Sequence, residues 1–517
     1  VRVVQSPTGG GFGGKEEYPS VIALHAAILA MKSGRPVKIV YDRGEDMAVT
    51  TKRHPSLVRH RTGLDRDGRL IAQDIEVLLD GGAYVTLSPV VLSRGVIHAG
   101  GPYHCENVRI HGRVMFTNSP PSGAFRGFGA PQTHFAGERH MDRVASAVGL
   151  DPPELRRRNL IRDGGSTATG QVIEDGTDRV GLLDRALAEA KWSEREAEHE
   201  RMRTSQRWLR RGMGLAAFHH GAGFTGSGEI TLASRLDVAG LPDGRVEVRS
   251  ANVEMGQGTL TIFTKIAAAR LGIAPDGVVI ADPDTGRVPN SGPTVASRTA
   301  MIVGKLVEDA CDALLAQIGM EAGAGLPEAI RAWHRAHPGE ELVATALYQR
   351  PPGLVWNDTT YRGDAYAAYG WGVYVTEVEV DLRTWTARVV DFVALQEVGT
   401  VLAETLARGQ VQGGVVQGIG WALLEECRLA DGAMTNNQLT NYIIPTSDDV
   451  PPIRVVFVEN PWPGGPLGAK GLGELPIDGP APAIANAVAR ALGADPREIP
   501  ITPERLMALV PGHVRVA

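Results

Sequence analysis

Six glycine-rich clusters in this 517-residue chain carry side chains able to do chemistry. "GAKGLGELP" presents Glu474 among apolar and small neighbours. A carboxylate in such surroundings loses water, so its pKa is expected to rise into the range useful to a general base. A lone glutamate in a loop is more often a solvated acid, and the sequence alone leaves both readings open. "AFRGFGAPQ" sets Arg126 and Phe128 between small residues, a fork for a carbonyl or anion beside a ring that can stack on a flat molecule. "VEMGQGT" and "VQGGVVQGIG" set Gln257, Gln412 and Gln417 beside glycines, offering donor and acceptor to a heterocyclic edge. "VPNSGPTVAS" adds Thr294, Ala296 and Ser297, and "TGGGFGGKEE" opens the chain with Gly11, Phe12, Gly13 and Glu16.

Five of the six clusters mix glycine with Phe, Arg, Gln, Lys or Glu, which low-complexity linkers do not. The pattern fits backbone brought close to something, several times over. Lys15 follows Gly14, but Glu16 stands where a phosphate loop needs Ser or Thr, and no dinucleotide-binding frame surrounds the run. Cys105, Cys311 and Cys427 lie far apart without CxxC spacing, which disfavours a disulfide framework or an iron–sulfur cluster held by this chain.

The elements that must hold these clusters mix without a regular βα repeat, so the fold class is α+β. "EEYPSVIALHAAILAMKSG" reads as a helix stopped by Gly34, and "RPVKIVYDR" and "LIAQDIEVLLDGGAY" as strands. "PQTHFAGERHMDRVASAVGL" is an amphipathic helix ending at Gly149, and "DPPELRRRNL" starts a short one. "GLLDRALAEAKWSEREAEHERMRT" reads as one charged helix over 181–205 linking a first subdomain (1–180) to a second (206–517). In the second, "SRLDVAGLPDGRVEVRSANV" reads as a hairpin and 367–399 as a long antiparallel pair. "LTIFTKIAAARLGI", "ASRTAMIVGKLVEDACDALLAQIG" and "APAIANAVARALG" read as helices. The net charge of −6, with no long basic run, argues against nucleic acid. No apolar stretch approaches a membrane span, which makes the cytoplasm the default location.

The clusters, in this order, resemble the molybdopterin-binding part of the xanthine dehydrogenase (molybdenum hydroxylase) family. The resemblance implies that Gly11, Phe12, Gly13, Gly256, Gln257 and Gly258 approach the cofactor, with Thr294, Ala296, Ser297 and Gln417 beside it and Arg126 near the metal. It implies that Glu474 is the general base as a water-derived oxygen is added to an electron-poor carbon. It also implies that molybdenum is held by the pterin dithiolene and not by side chains. Glu16 and Arg94 match a purine-binding pair, with Phe128 against the ring and Ala217 or Phe218 competing for a second aromatic slot; Phe218 is the candidate. The expected function is hydroxylation of a purine-like N-heterocycle. An aldehyde oxidoreductase or an aromatic-thioester reductase is the alternative on the same scaffold, and a non-catalytic scaffold fragment is the alternative of another class. The loop "AFRGFG" lacks the cysteine of the carbon monoxide dehydrogenase branch. The implied cofactor is molybdopterin, with or without a cytosine dinucleotide extension. The implied partners are a chain completing the pocket, a [2Fe–2S] subunit and an FAD subunit, because family members begin well upstream of the first glycine cluster.

Overall fold

The computed structural model describes residues 1–510. Strand Leu209–Gly221 is the natural starting point, because it is buried along almost its whole length. It pairs antiparallel with Tyr369–Asp381, which pairs with Thr386–Glu397 across a bulge between Glu377 and Val378. Ile453–Val458 adds a parallel edge to this four-stranded sheet. Alternation sends Leu215, Ala217 and His219 to one face and Ala216, Phe218 and His220 to the other. The first face joins Trp371, Val373 and Leu395 in a core that also takes Leu70, Met141 and Leu183 from the N-terminal third. The second face packs on helix Pro480–Leu492. Gly212 and Gly214 make that approach possible: a Cβ on either would overlap the helix backbone at Ala487 or Ala483.

Two further sheets, one of three strands and one of four, flank this centre. Ser56–Leu64, Leu70–Gly82 and Asn107–Phe116 form one, with helices Ser88–His98 and Ala130–Val148 packed on it. Leu342–Leu347, Arg235–Gly240, Val246–Arg249 and Val278–Ile280 form the other, under helices Thr259–Leu271 and Gly304–Ile318. The mixed sheets with packed helices are the α+β architecture expected, and the 235–249 hairpin and the long antiparallel pair stand where the alternation put them.

Two segments differ from expectation. Residues 181–205 are not one linking helix: Arg179–Glu189 and Trp192–Ser205 are separated by Lys191 in a left-handed turn, and Leu182, Leu183 and Ala186 sit in the main core. "RPVKIVYDR" forms no strand, because no strand among the described residues offers it a ladder, and its end becomes the N-cap of helix Arg43–Val49. "VQGGVVQGIG" lies in the middle of helix Glu404–Leu423. Each glycine there costs about 1 kcal/mol of helix propensity. In return Gly414 and Gly418 let the helix close on Pro476 and Pro480, beside the chain that carries Glu474.

Candidate active site

The glycine clusters meet one another. Gly13 lies so close to the "AFRGFG" loop that a Cβ would stand 2.5 Å from Phe125 Cα, and one on Gly11 would stand 2.6 Å from Met255 Sδ in "VEMGQG". A Cβ on Gly471 would overlap the carbonyl of Ser297. Arg126 N donates to Phe12 O at 2.8 Å, tying the first two loops together. The N–H groups of Phe12 and Gly13 donate to no protein acceptor among the described residues. Phe12, Phe128, Ala296 and Ser297 all hold positive φ, between 50° and 54°. Each such non-glycine residue stores about 1–3 kcal/mol of strain, and such strain gathers at functional sites.

Between these loops lies a cavity of about 540 Å³. Gly11, Phe12, Gly13, Glu16, Arg94, Arg126, Phe128, Gln257, Thr294, Ala296, Ser297 and Glu474 all line it. Gln417 stands one layer behind, accepting from Arg126 Nη1 at 3.1 Å. Gly256 and Gly258 shape the loop around Gln257 without reaching the wall, both at positive φ. Gln257 is held by its own loop: its amide donates to Val253 O and Thr259 Oγ1 and accepts from Met255 N. Thr294 Oγ1 accepts from Val253 N at 2.9 Å, joining two loops.

Phe218 is not in the cavity. Its ring is 1% exposed and meets Tyr374 edge-on at 4.7 Å in the core, because its place on the strand faces helix Pro480–Leu492. The aromatics that line the cavity besides Phe12 and Phe128 are Phe125 and Phe224. Phe224 lies three residues beyond the end of strand Leu209–Gly221, where the chain has left the sheet and can turn inward.

Arg126 is fixed on three sides. Nε donates to Gly473 O at 2.7 Å, Nη2 to Gln410 O at 2.9 Å, and the guanidinium lies 4.5 Å over the Phe12 ring. It therefore positions the loop before Glu474 and the first glycine cluster. Arg94 is similarly committed: Nη1 reaches Glu474 Oε2 at 3.0 Å, His220 Nε2 at 2.7 Å and Gly221 O at 3.1 Å, and Nη2 reaches Gly223 O at 2.7 Å.

The electrostatics of Glu474 reverse the sequence expectation. Burial pushes its pKa up, but the Arg94 charge and the hydrogen bond with His220 outweigh it and bring the carboxyl down to about 2. Glu16 goes the other way: burial, then the charges of Glu474 and Glu17, push it up to about 8 against the pull of Arg94. One cavity thus holds an ionised and a protonated carboxyl at neutral pH, a division that suits a base and a hydrogen-bond donor. Ser297 Oγ accepts from Glu474 N at 2.9 Å and fixes the backbone under the base.

His220 and Asp478, buried behind Glu474, escape a reading of the sequence. Their signals were the His-His pair in an apolar run and an aspartate four residues after Glu474, neither informative until the fold joins them. Among the described residues no group of three or more His, Cys, Asp or Glu is placed to hold a metal ion. The free N–H groups of Phe12 and Gly13, the glycine cradle and the cavity volume fit a large cofactor that brings its own metal ligands.

Comparison with known proteins agrees. Models of the molybdopterin cofactor-binding domain match residues 1–160 and 185–451. A probable xanthine dehydrogenase subunit of Bacillus subtilis is 34% identical over 527 residues, covering 99% of this chain and 69% of that protein. The aldehyde oxidoreductase of Megalodesulfovibrio gigas is 31% identical, covering 98% of this chain and 54% of that protein. Among solved structures, the aldehyde oxidoreductase of Desulfovibrio desulfuricans superposes with a TM-score of 0.89 at 30% identity, over 99% of this chain and 55% of that one. Quinoline 2-oxidoreductase from Pseudomonas putida gives 0.86 at 28% identity, over 98% of this chain and 68% of that one. The chain thus spans about half to two thirds of the length of these relatives. With its glycine loops closed around one cavity and these matches along its length, the chain belongs to the molybdopterin-dependent oxidoreductases of the xanthine dehydrogenase and aldehyde oxidoreductase superfamily.

Proposed function

We propose that the chain is the molybdopterin-bearing part of an enzyme that oxidises aldehydes by adding an oxygen at the carbonyl carbon. The observation that carries this reading is geometric: Glu474 and Glu16 line one cavity, and Arg94 is spent on Glu474 and two backbone carbonyls, with Arg94 lowering the Glu474 pKa and burial raising that of Glu16. When bound, molybdopterin supplies the two-electron oxidising centre. The Phe12 and Gly13 N–H groups, Gln257 and the Thr294–Ser297 loop would hold it. Glu474 accepts the proton released as oxygen is delivered to substrate. Oε2 is engaged by Arg94 and His220, which leaves Oε1 without a side-chain donor among the described residues. Glu16, as a neutral acid, can donate to a carbonyl oxygen, and Phe128, Phe224 and Val90 exclude water around a small apolar substrate. Arg94 is committed to Glu474 and two backbone carbonyls, so it is poorly placed to receive a purine ring. N-heterocycles are the second reading, favoured by Glu16 and Arg94 lining the same cavity between aromatic rings.

Glu474→Gln in the cofactor-loaded complex should lower kcat by about 10²–10⁴ with cofactor retained; full turnover in that variant would sink the assignment. A panel of aldehydes and purines separates the two substrate readings. Purine turnover without aldehyde turnover would reverse their order. The Glu16 donor is present below about pH 8 and lost above it as the carboxyl ionises. Activity should therefore fall above that pH, and Glu16→Gln, which keeps a donor at all pH values, should remove the alkaline limb.

The same reading places [2Fe–2S] and FAD groups on partner chains. Support for a polypeptide that completes the pocket comes from helix Tyr18–Ser33, which begins two residues after Glu16 and buries none of its residues. Val21, Leu24, Ile28, Leu29 and Met31 are all exposed. The next segment, 35–42, has strand-forming sequence and no strand neighbour. An apolar helix beside a segment of strand-forming sequence is the surface that a polypeptide contributing its own strand would cover. No helix of the described residues is long and apolar enough to cross a membrane.

A further inference from the structure

We infer that Arg298, through its buried pair with Glu229, is a positioning residue that holds Glu474 in place from two sides. The inference rests on the reading of Glu474 as the base. Arg298 follows Ser297 directly and leads into the helical stretch Thr299–Val303. It is wholly buried, Glu229 is 4% exposed, and all five N–H donors of the guanidinium are used. Nε faces Glu229 Oε1 at 3.0 Å and Oε2 at 3.1 Å. Nη2 donates to Glu229 Oε2 at 2.8 Å and to Ser234 Oγ at 2.7 Å. Nη1 donates to Ser291 O at 3.0 Å and to Pro293 O at 3.2 Å. The loop lies so close over the guanidinium that a Cβ on Gly292 would stand 2.9 Å from Nη1.

Two routes lead from this pair to the base. The first runs through Ser297, whose Oγ accepts from Glu474 N at 2.9 Å. Ala296 and Ser297 both hold φ 54°, a backbone that persists only where the surroundings fix it. The grip of Arg298 on the carbonyls of Ser291 and Pro293 closes the loop that carries them. The second route runs through Glu229, whose Oε1 also accepts from Phe224 N at 3.0 Å. The carbonyl of the preceding residue, Gly223, accepts from Arg94 Nη2 at 2.7 Å, and Nη1 of that guanidinium reaches Glu474 Oε2 at 3.0 Å. Gly223 N donates to Ala296 O at 2.8 Å and joins the two routes. One buried pair thus fixes both the backbone under the carboxyl and the cation beside it.

The position needs a fork. A planar guanidinium meets a carboxylate along one edge and two carbonyls from another nitrogen. Lysine offers its donors from a single atom and cannot reach both. A matched pair lies elsewhere: Arg156 Nη2 stands 2.8 Å from Glu138 Oε2, with side chains 0% and 2% exposed, against 0% and 5% for Arg298 and Glu229. Neither Arg156 nor Glu138 lines the cavity. The two pairs therefore separate positioning of the base from plain stability. Glu474 is faced by Arg94 from helix Ser88–His98, by His220 from the strand with Asp478 behind it, and by Glu16 from the first glycine cluster. Burial raises its pKa, and Arg94, then His220, bring it down. A displaced Gly223 carbonyl loosens Arg94, so Glu474 should then titrate at higher pH.

The test is Arg298→Lys in the cofactor-loaded complex, with Arg156→Lys and Glu474→Gln in parallel. Expected for Arg298→Lys is a fall in kcat of about ten- to hundredfold with cofactor retained. The acid limb of kcat/KM should move up by about one pH unit or more. Arg156→Lys should lower the melting temperature and leave the acid limb where it is. An unmoved acid limb in Arg298→Lys overturns the inference, whatever happens to kcat or to stability. Inactive Glu474→Gln beside unaltered Arg298→Lys refutes only the positioning role, whereas fully active Glu474→Gln refutes the base assignment itself. If Arg298→Lys does not fold, Glu229→Gln, which keeps the shape and removes the charge, carries the same expectation. If that variant also fails, hydrogen exchange of the unmutated complex decides: residues 222–229 and 289–297 should open at one common rate, and separate rates overturn the proposal.

Discussion

Helix Pro480–Leu492 and helix Tyr18–Ser33 are both apolar, and both end on a left-handed glycine, yet ten of thirteen residues are buried in the first and none of sixteen in the second. Each leads directly from a carboxyl of the cavity: Glu474 and Asp478 precede the first, Glu16 the second. Strand Leu209–Gly221 and helix Glu404–Leu423 cover the first helix. Nothing among the described residues covers the second. The two walls of the cavity are therefore built differently. The wall of the base is fixed by a packed core and by the contacts of Arg94 and His220 with Glu474. The wall of Glu16 stands on a helix that has no buried residue among the described residues.

The largest way to break the comparison is to damage the covered helix. Gly214→Val would drive side-chain atoms into the backbone of Ala483 and Ala487. The expected loss is about 3 kcal/mol or more, at the upper end of overpacking costs. It should be read as a lower melting temperature and a poor soluble yield. A change of the same kind on the other helix should do nothing to the isolated chain. Leu24→Asp with Ile28→Asp places two charges one turn apart on exposed positions. Stability of the chain alone should stay within about 0.5 kcal/mol, while co-purification of the partner chains should be lost. Retained co-purification would show that this helix is not the docking face.

The difference between the helices was only half legible in the sequence. Both were readable as helices because apolar period, proline near the start and a terminal glycine are local signals. Burial is not local. Nine of the glycine-cluster residues and the two carboxyls line one cavity, and glycine spacing reports such close backbone approach wherever the partner lies. The pKa of Glu474 was not legible: its ligands Arg94 and His220 lie 380 and 254 residues away in sequence, and they reverse the sign that its apolar neighbours imply. Phe218 was misplaced for a similar reason. A strand's alternation fixes two faces but not which one the site occupies, and the aromatic that reaches the cavity, Phe224, stands past the strand's end.

The smallest effects sharpen the comparison most. Gly34 and Gly493 cap the two helices at φ 63° and 65°, and a Cβ on either meets nothing within 4 Å. Alanine at each site therefore carries only the left-handed backbone cost, about 1 kcal/mol. The cost is the same, but what it acts on is not. Helix Pro480–Leu492 unfolds only with the core that holds it, so Gly493→Ala should lower the global melting temperature by a few degrees. Among the described residues helix Tyr18–Ser33 has none that is buried, so Gly34→Ala should leave the melting temperature unchanged and speed amide exchange in residues 28–34. On the proposal that a partner chain covers that helix, its end becomes coupled in the assembly, and the same variant should lower the melting temperature of the complex. An equal response of the isolated chain and the complex to Gly34→Ala would mean that helix Tyr18–Ser33 is as uncovered in the assembly as it is alone.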